Sequence, residues 1–437
     1  MVSDVNSLSS PVYLGKWVEF MTATESKSIN NRHTYAFVKP ALLQWAREAA
    51  GLSVEDAAKK IGVKPDRLIE WETAATNPTV PQLRKISNAY KRSIAVFFLP
   101  EPPVQPQTLQ DFRRVSNYES KPYTSQLILE IRRARRRRSL ALRLFEELNI
   151  TIPKFNLKAS VDENPDIVAK RGRDWLNINM AEQAKWQDRY ASLRGWTDKL
   201  EAKSILVFHT KDVKPEEMLG FALSEETLPV IVLNGKDEPR RRVFTLLHEF
   251  VHLMLGLSGV SDLIETVPKL QTESERIEVF CNRVAGAILV PDNEILSDSR
   301  VAPVEKPSEW TDEIIKSLAD RFAVSREVIL RRLLILGKTT QTFYEQKRSE
   351  YNEENAKKSK AVKENKKPVI VPQSRLAIRN NGVRYTELVL DAYERNFLNE
   401  VDFSDHLGVK TKHLDKIAEI IQNKRKHVDV SEEEDDE

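Results

Sequence analysis

A helix that is apolar almost all the way round has to be buried, and one such helix here carries three groups that burial makes costly. From Pro239 to Leu257 a basic start, Arg240, Arg241 and Arg242, gives way to Val243, Phe244, Leu246, Leu247, Phe250, Val251, Leu253, Met254 and Leu255. Apolar side chains occupy nearly every side, so the second half is expected inside a core. His248, Glu249 and His252 lie in that half. Residues four apart on a helix share a face, with Cβ atoms about 6 Å apart, so two imidazoles can take adjacent corners of a zinc tetrahedron. Glu249, rotated by about 100°, can reach a water there without displacing a ligand. Two imidazoles and a carboxylate in an apolar setting are costly unless something pairs with them, and a divalent cation pairs with all three.

A catalytic zinc needs a third protein ligand and an open fourth position. Glu278, on the next strong helical pattern (Glu273 to Leu289), is the expected donor, and His209 is the alternative. In that arrangement zinc acidifies a water, and Glu249 is the expected base. Two histidines with one carboxylate suit zinc, while tolerating manganese or cobalt.

Around this helix the chain reads as several units. Its 437 residues exceed one core. The lone Cys281 excludes an internal disulfide and fits a reducing cytoplasm, with its thiol expected as a small core residue. No stretch suits a membrane span or a leader, so a membrane is not an expected partner. A net charge of +3, from 68 basic and 65 acidic residues, means that attraction to nucleic acid must come from local clusters.

Residues 1–36 have no sustained period. Residues 37–100 read as short amphipathic helices, with Ser53 an N-cap and Gly62 a helix stop. Residues 101–150 hold a proline-rich linker and a long helix whose centre, Arg132-Arg-Ala-Arg-Arg-Arg-Arg138, spreads arginine round most of the circumference, so its middle is expected in solvent. Ile205–Phe208 and Val230–Leu233 read as strands, the second ending at the turn signal Asn234-Gly235. Residues 346–367 read as a charged linker, 368–425 as a small helical C-terminal domain, and 426–437 as an acidic tail.

From His209 to Gly337 the sequence resembles the ImmA/IrrE family of bacterial zinc metallopeptidases. The resemblance is carried by Val230-Ile-Val-Leu-Asn234, by Arg242-Val-Phe-Thr-Leu-Leu-His-Glu-Phe-Val-His252, and by Glu278-Val-Phe-Cys-Asn-Arg-Val-Ala-Gly-Ala-Ile-Leu-Val-Pro291. The stretch Leu318 to Leu333 is similar to the helix-turn-helix-like piece that follows the family's core. The chain departs from the family at Cys281 and at Val284-Ala285, where the apolar face is kept. The resemblance implies His248, His252 and Glu278 as zinc ligands, Glu249 as base, and a metallopeptidase domain over 151–345. Separately, residues 37–100 resemble the phage-repressor, or Cro/C1, helix-turn-helix: Leu52 to Val63 as first helix and turn, Lys64 to Trp71 as recognition helix. That implies double-stranded DNA as a partner, contacted by Gln44, Lys64 and Arg67, although Asp66, Glu70 and Glu72 dilute the positive charge of that surface.

The expected fold is α+β and predominantly helical: a helix-turn-helix domain, a zincin-like domain with a small sheet and a buried His-Glu-x-x-His helix, and a helical C-terminal domain. The expected function is zinc endopeptidase action on a regulatory protein, with a helix-turn-helix repressor as the substrate the resemblance implies. The alternative is a DNA-binding regulator whose metal domain senses a signal or is dormant.

Overall fold

The computed structural model describes residues 34–103, 109–111, 123–186, 188–261, 272–365 and 371–433. They fall into two compact units, divided between residues 105 and 106. The expectation for residues 1–36 lies almost wholly outside the described residues, as does the end of the acidic tail, 434–437.

The first unit is a bundle of α1 (Pro40–Glu48), α2 (Val54–Ile61), α3 (Pro65–Glu72) and α4 (Val80–Tyr90), closed by a 3-10 turn at Ile94–Phe98. Its punctuation is local. The Ser53 hydroxyl caps α2 by accepting from the Asp56 amide, and Gly62 stops that helix at φ 79°, a conformation a side chain would strain. Thr79 and Gln82 form a reciprocal capping box on α4. Leu43, Ala46, Ala57, Leu68, Trp71, Ile86 and Phe97 fill the core. Arg47 on α1 grips Glu72 with two hydrogen bonds, 2.8 and 2.9 Å, fixing the end of α3 to α1.

The second unit is built on one mixed five-stranded sheet, ordered β1 (Gln110–Asp111), β5 (Gly259–Ser261), β3 (Gly220–Leu223), β4 (Val230–Asn234) and β2 (Leu206–Thr210). β2 and β4 pair in parallel, with Leu206 opposite Val230 and Thr210 opposite Asn234, while β3 is antiparallel to both β4 and β5. Both faces are covered, so β2, β3 and β4 are buried throughout. One face carries α6 (Pro165–Leu176), α8 (Arg189–Ala202), α9 (Pro239–Met254) and α10 (Glu273–Leu289), with α12 (Asp312–Arg321), α13 (Arg326–Ile335) and the first half of α14 (Gln341–Asn365) completing the same core. The short helices α7 (Met180–Ala184) and α11 (Asp292–Leu296) connect these elements.

Three expectations are corrected, two of them on the other face and one at α14. The arginine helix, α5 (Ser125–Glu147), buries one face of its middle: Ile131 and Ala134 lie in the core, while Arg133 and Arg136 stay exposed. Long arginine stems can lie along apolar surface while their heads reach polar groups. Arg137 does so over the Phe208 ring, at 5.0 Å, and Arg138 donates to the carbonyls of Thr227 and Leu228, at 2.8 and 3.0 Å. Residues 368–425 do not stand as a separate domain. Their helices α15 (Gln373–Asn381), α16 (Val383–Glu394), α17 (Glu400–Leu407) and α18 (Leu414–Glu433) share one core with α5 and the sheet. Tyr385, for example, meets Phe208 edge to face with ring centroids 5.5 Å apart. The charged stretch 346–367 continues α14 as far as Asn365, and Tyr351 is buried.

A buried carboxyl group ties these helices to the other face. Glu201, at the end of α8, accepts from the amides of Val383 and Arg384 at 3.1 and 3.3 Å and so caps α16. Gly382 leads into that helix at φ 76°; a Cβ there would stand 2.2 Å from Glu201 Oε1 and 2.6 Å from the Val207 carbonyl. No helix among the described residues is long and apolar enough to cross a membrane.

Candidate metal centre

α9 begins at Pro239, with Glu238 capping the amides of Arg240 and Arg241, and runs buried from Arg242 to Met254. In the turn that precedes it, the buried side-chain amide of Asn234 donates to the carbonyls of Val213 and Met218 at 3.2 and 2.9 Å. α10 begins in the capping box of Thr272 and Glu275 and packs against α9. That crossing brings together His248 and His252 on one helix and Glu278 on the other. One donor atom from each lies within 4.8 Å of the other two. The two Nε2 atoms are 3.1 Å apart, and the Glu278 oxygens stand 3.2 Å from His248 Nε2 and 3.0 Å from His252 Nε2. His209, the alternative third donor, is not in this group.

The donor set fits a small divalent cation. Bonds of about 2.0 to 2.2 Å to a tetrahedral ion need donor-to-donor edges of roughly 3.3 to 3.6 Å, a few tenths beyond those present. A single proton cannot serve two imidazole nitrogens and a carboxylate that converge on one point, whereas a cation can. All three side chains are at most 1% exposed. The Nδ1 atom of His248 lies 3.0 Å from Asn282 Oδ1, which assigns the ring proton to Nδ1 and directs Nε2 into the cluster. Burial depresses the basicity of His248, but the Glu278 carboxylate outweighs it and the net shift is upward. Burial leaves His252 lowered. Burial alone would raise Glu278, yet the two imidazoles hold it down at about 2.

Glu249 is fully buried on the same helix, and its carboxylate rests against the backbone of Gly220 on β3. The buried Cys281 thiol is pushed well above its usual range by burial and by Glu278 and Glu249, which fits a core residue. Sequence reasoning assigned no role to Gly220 or Asn282. Asn282 carried a usable signal, since it lies four residues beyond Glu278 and so on the same helix face.

In the first unit, Lys64 is the exposed N-cap of α3. Arg67 donates to Glu70 at 2.5 Å and lies over the Trp71 ring, and the Gln44 amide donates to Glu48 at 2.9 Å. Of the acids that dilute the charge of this surface, Glu72 is neutralised by Arg47 and Glu70 by Arg67.

Residues 201–334 match the model of the IrrE N-terminal-like domain, a peptidase family, and residues 43–97 match a helix-turn-helix model. In that order the two matches correspond to a peptidase-type domain fused behind a helix-turn-helix of the phage-repressor kind. No curated protein matches the chain.

Proposed function

We propose that this chain is a zinc-dependent endopeptidase of the ImmA/IrrE type that cleaves a regulatory protein, a helix-turn-helix repressor, in a reducing cytoplasm. The observation that carries the reading is the convergence of His248, His252 and Glu278 within 4.8 Å in a core, one residue from the carboxylate of Glu249. His248, His252 and Glu278 would hold the zinc. A zinc ion bound there supplies Lewis-acid polarisation of the scissile carbonyl and acidification of a water. Glu249 would serve as the base that takes a proton from the attacking water and would return it to the leaving amine as the C–N bond breaks. Asn282 holds the His248 ring so that its free nitrogen faces the cluster.

The test uses the full chain loaded with zinc, incubated with candidate repressors beside Glu249→Gln. The wild type is expected to cut, while the variant keeps its zinc and loses about 10²- to 10⁴-fold in rate. Equal cutting by both, or no zinc in the wild type, removes the enzyme reading.

A second reading is a DNA-binding regulator in which the metal domain senses a signal or is dormant. It is favoured by the complete burial of the donors and of Glu249, together with the exposed Lys64 at the start of α3. Footprinting upstream of its own gene separates the two: sequence-specific protection unchanged in Glu249→Gln, without proteolysis by the wild type, supports the regulator.

A further inference from the structure

The turn that joins α16 to α17 exposes apolar side chains on a hydrogen-bonded backbone. The Phe397 and Leu398 amides both donate to the Ala392 carbonyl, at 2.9 and 3.3 Å, and Asn396 takes the reversal at φ 63°. Asn399 and Asp402 then close a capping box at the start of α17. Leu398 is buried, and the Tyr393 ring lies 5.4 Å from that of Phe403, centroid to centroid, so the turn is anchored from beneath. Phe397 is nevertheless 48% exposed, and Val401, four residues on, is 65% exposed. Single exposed apolar side chains need no explanation, but those that adjoin a groove mark a docking surface.

Such a groove is present. Phe397 and Leu398 line a space of about 540 Å³ together with Tyr393, Glu394, Glu400 and Asp402. Its charge has one sign: Glu394 and Glu400 are exposed, Asp402 is half-buried, and no lysine or arginine is among the lining residues. The exposed Arg395 lies outside the lining. Asp402 is partly committed, since its carboxylate accepts from the Asn399 amide at 3.3 Å. Carboxylates round an apolar floor repel a phosphate backbone or an anionic lipid surface, and they attract cations carried on an apolar segment.

We propose that this groove docks a lysine- or arginine-rich segment of a partner protein, with an apolar side chain of that segment seated against Phe397 and its cations facing Glu394 and Glu400. A DNA-binding regulatory protein presents such a segment, because contact with phosphates requires a cationic face. That the docked protein is also the one cut rests on the peptidase reading above; the docking itself does not. α16 and α17 belong to the core on the sheet face away from α9 and α10, so the groove serves binding rather than bond cleavage.

The test uses the full chain carrying Glu249→Gln, so that binding is read without cutting. Its probes are a fluorescein-labelled amphipathic peptide of leucine and lysine with one photo-cross-linking benzoylphenylalanine, and the same peptide with glutamate in place of lysine. Fluorescence anisotropy at physiological ionic strength should show saturable binding of the cationic peptide alone, with cross-links mapping to residues 393–402. Phe397→Ser, and Glu394→Lys combined with Glu400→Lys, all at exposed positions, should each weaken binding about tenfold and leave the thermal midpoint unchanged. Where the chain with Glu249 intact cuts a repressor, Phe397→Ser should raise KM for it at unchanged kcat. A chain that cuts nothing but binds in this way loses the enzyme reading and keeps the docking site. Equal binding of both peptides, cross-links confined elsewhere, undiminished binding by the variants or, where cutting is seen, an unchanged KM overturns the assignment. Self-association abolished by Phe397→Ser would overturn it too, by giving the groove to a second copy of the chain.

Discussion

Gly220 on β3 and Glu249 on α9 meet with no room for a side chain between them: a Cβ at position 220 would stand 2.9 Å from Glu249 Oε1 and 2.8 Å from Thr245 Cγ2. The Glu249 carboxylate, the base of the proposed reaction, is thus seated against bare backbone. Gly220→Ala is expected to displace the carboxylate while leaving His248, His252 and Glu278 in place. A shift of about 1 Å at a reacting group lowers the rate by about 10²-fold, and overpacking costs about 1 to 3 kcal/mol. Metal analysis beside a cleavage assay checks this: full zinc content with depressed kcat is the expected pair, and full activity would show that the base is not held there.

Asn282 orients His248 without itself belonging to the proposed ligand set. Asn282→Ala leaves the His248 N–H in the core without that acceptor, and the ring can then turn away. Zinc affinity is expected to fall by about 10- to 100-fold, in the range for groups that orient metal-bound histidines. Competition with a chromophoric chelator measures it. Unchanged affinity would mean that the α9–α10 packing alone fixes the ring.

Glu201 couples stability to pH. Burial, and then the neighbouring Asp198, raises its pKa from 4.5 to about 8. Between those values the folded protein holds a proton that the unfolded chain has released, so the unfolded state binds fewer protons and stability falls as pH rises. The slope from this one group is at most about 1.4 kcal/mol per pH unit. Glu201→Gln keeps an acceptor for the Val383 and Arg384 amides but cannot ionise. In denaturant titrations, its stability relative to wild type should improve steadily from pH 5 to pH 8 and level off above. A pH-independent difference would rule out this titration.

Lys64 should act as a phosphate contact if α3 enters a DNA groove. Lys64→Ala is expected to weaken binding of a duplex from upstream of its own gene about equally across sequences, and to reduce the salt slope of log affinity by about 1. Arg67→Ala should do less, because that guanidinium already serves Glu70. Fluorescence anisotropy over a salt series reads both, and an unaltered slope in Lys64→Ala would exclude that contact.

What was legible in the sequence is what short spacing encodes. His248, Glu249 and His252 are one turn apart, Glu278 sits on the next periodic run, and Ser53 and Gly62 act on their own helix. The strands β1, β3 and β5 are two to four residues long, too short to display a period. The arginine helix was misjudged because counting charges round a helix ignores what the stems do: Arg137 lies over an aromatic ring that arrives from seventy residues further on. The C-terminal helices look separate because a polar run precedes them, and composition records local exposure but not the return of a chain to a distant sheet.

The sheet between the two cores assigns alternate positions on its strands to different neighbours. Val207, Ile231 and Leu233 belong with the helices of the metal cluster, while Leu206, Phe208, Val230 and Val232 belong with α5 and the C-terminal helices. Moving a substitution by a single residue along β2 or β4 therefore transfers its effect from one half of the unit to the other. Paired conservative changes such as Val207→Ala and Phe208→Leu offer a way to disturb each half separately, with the wall between them as the dividing line.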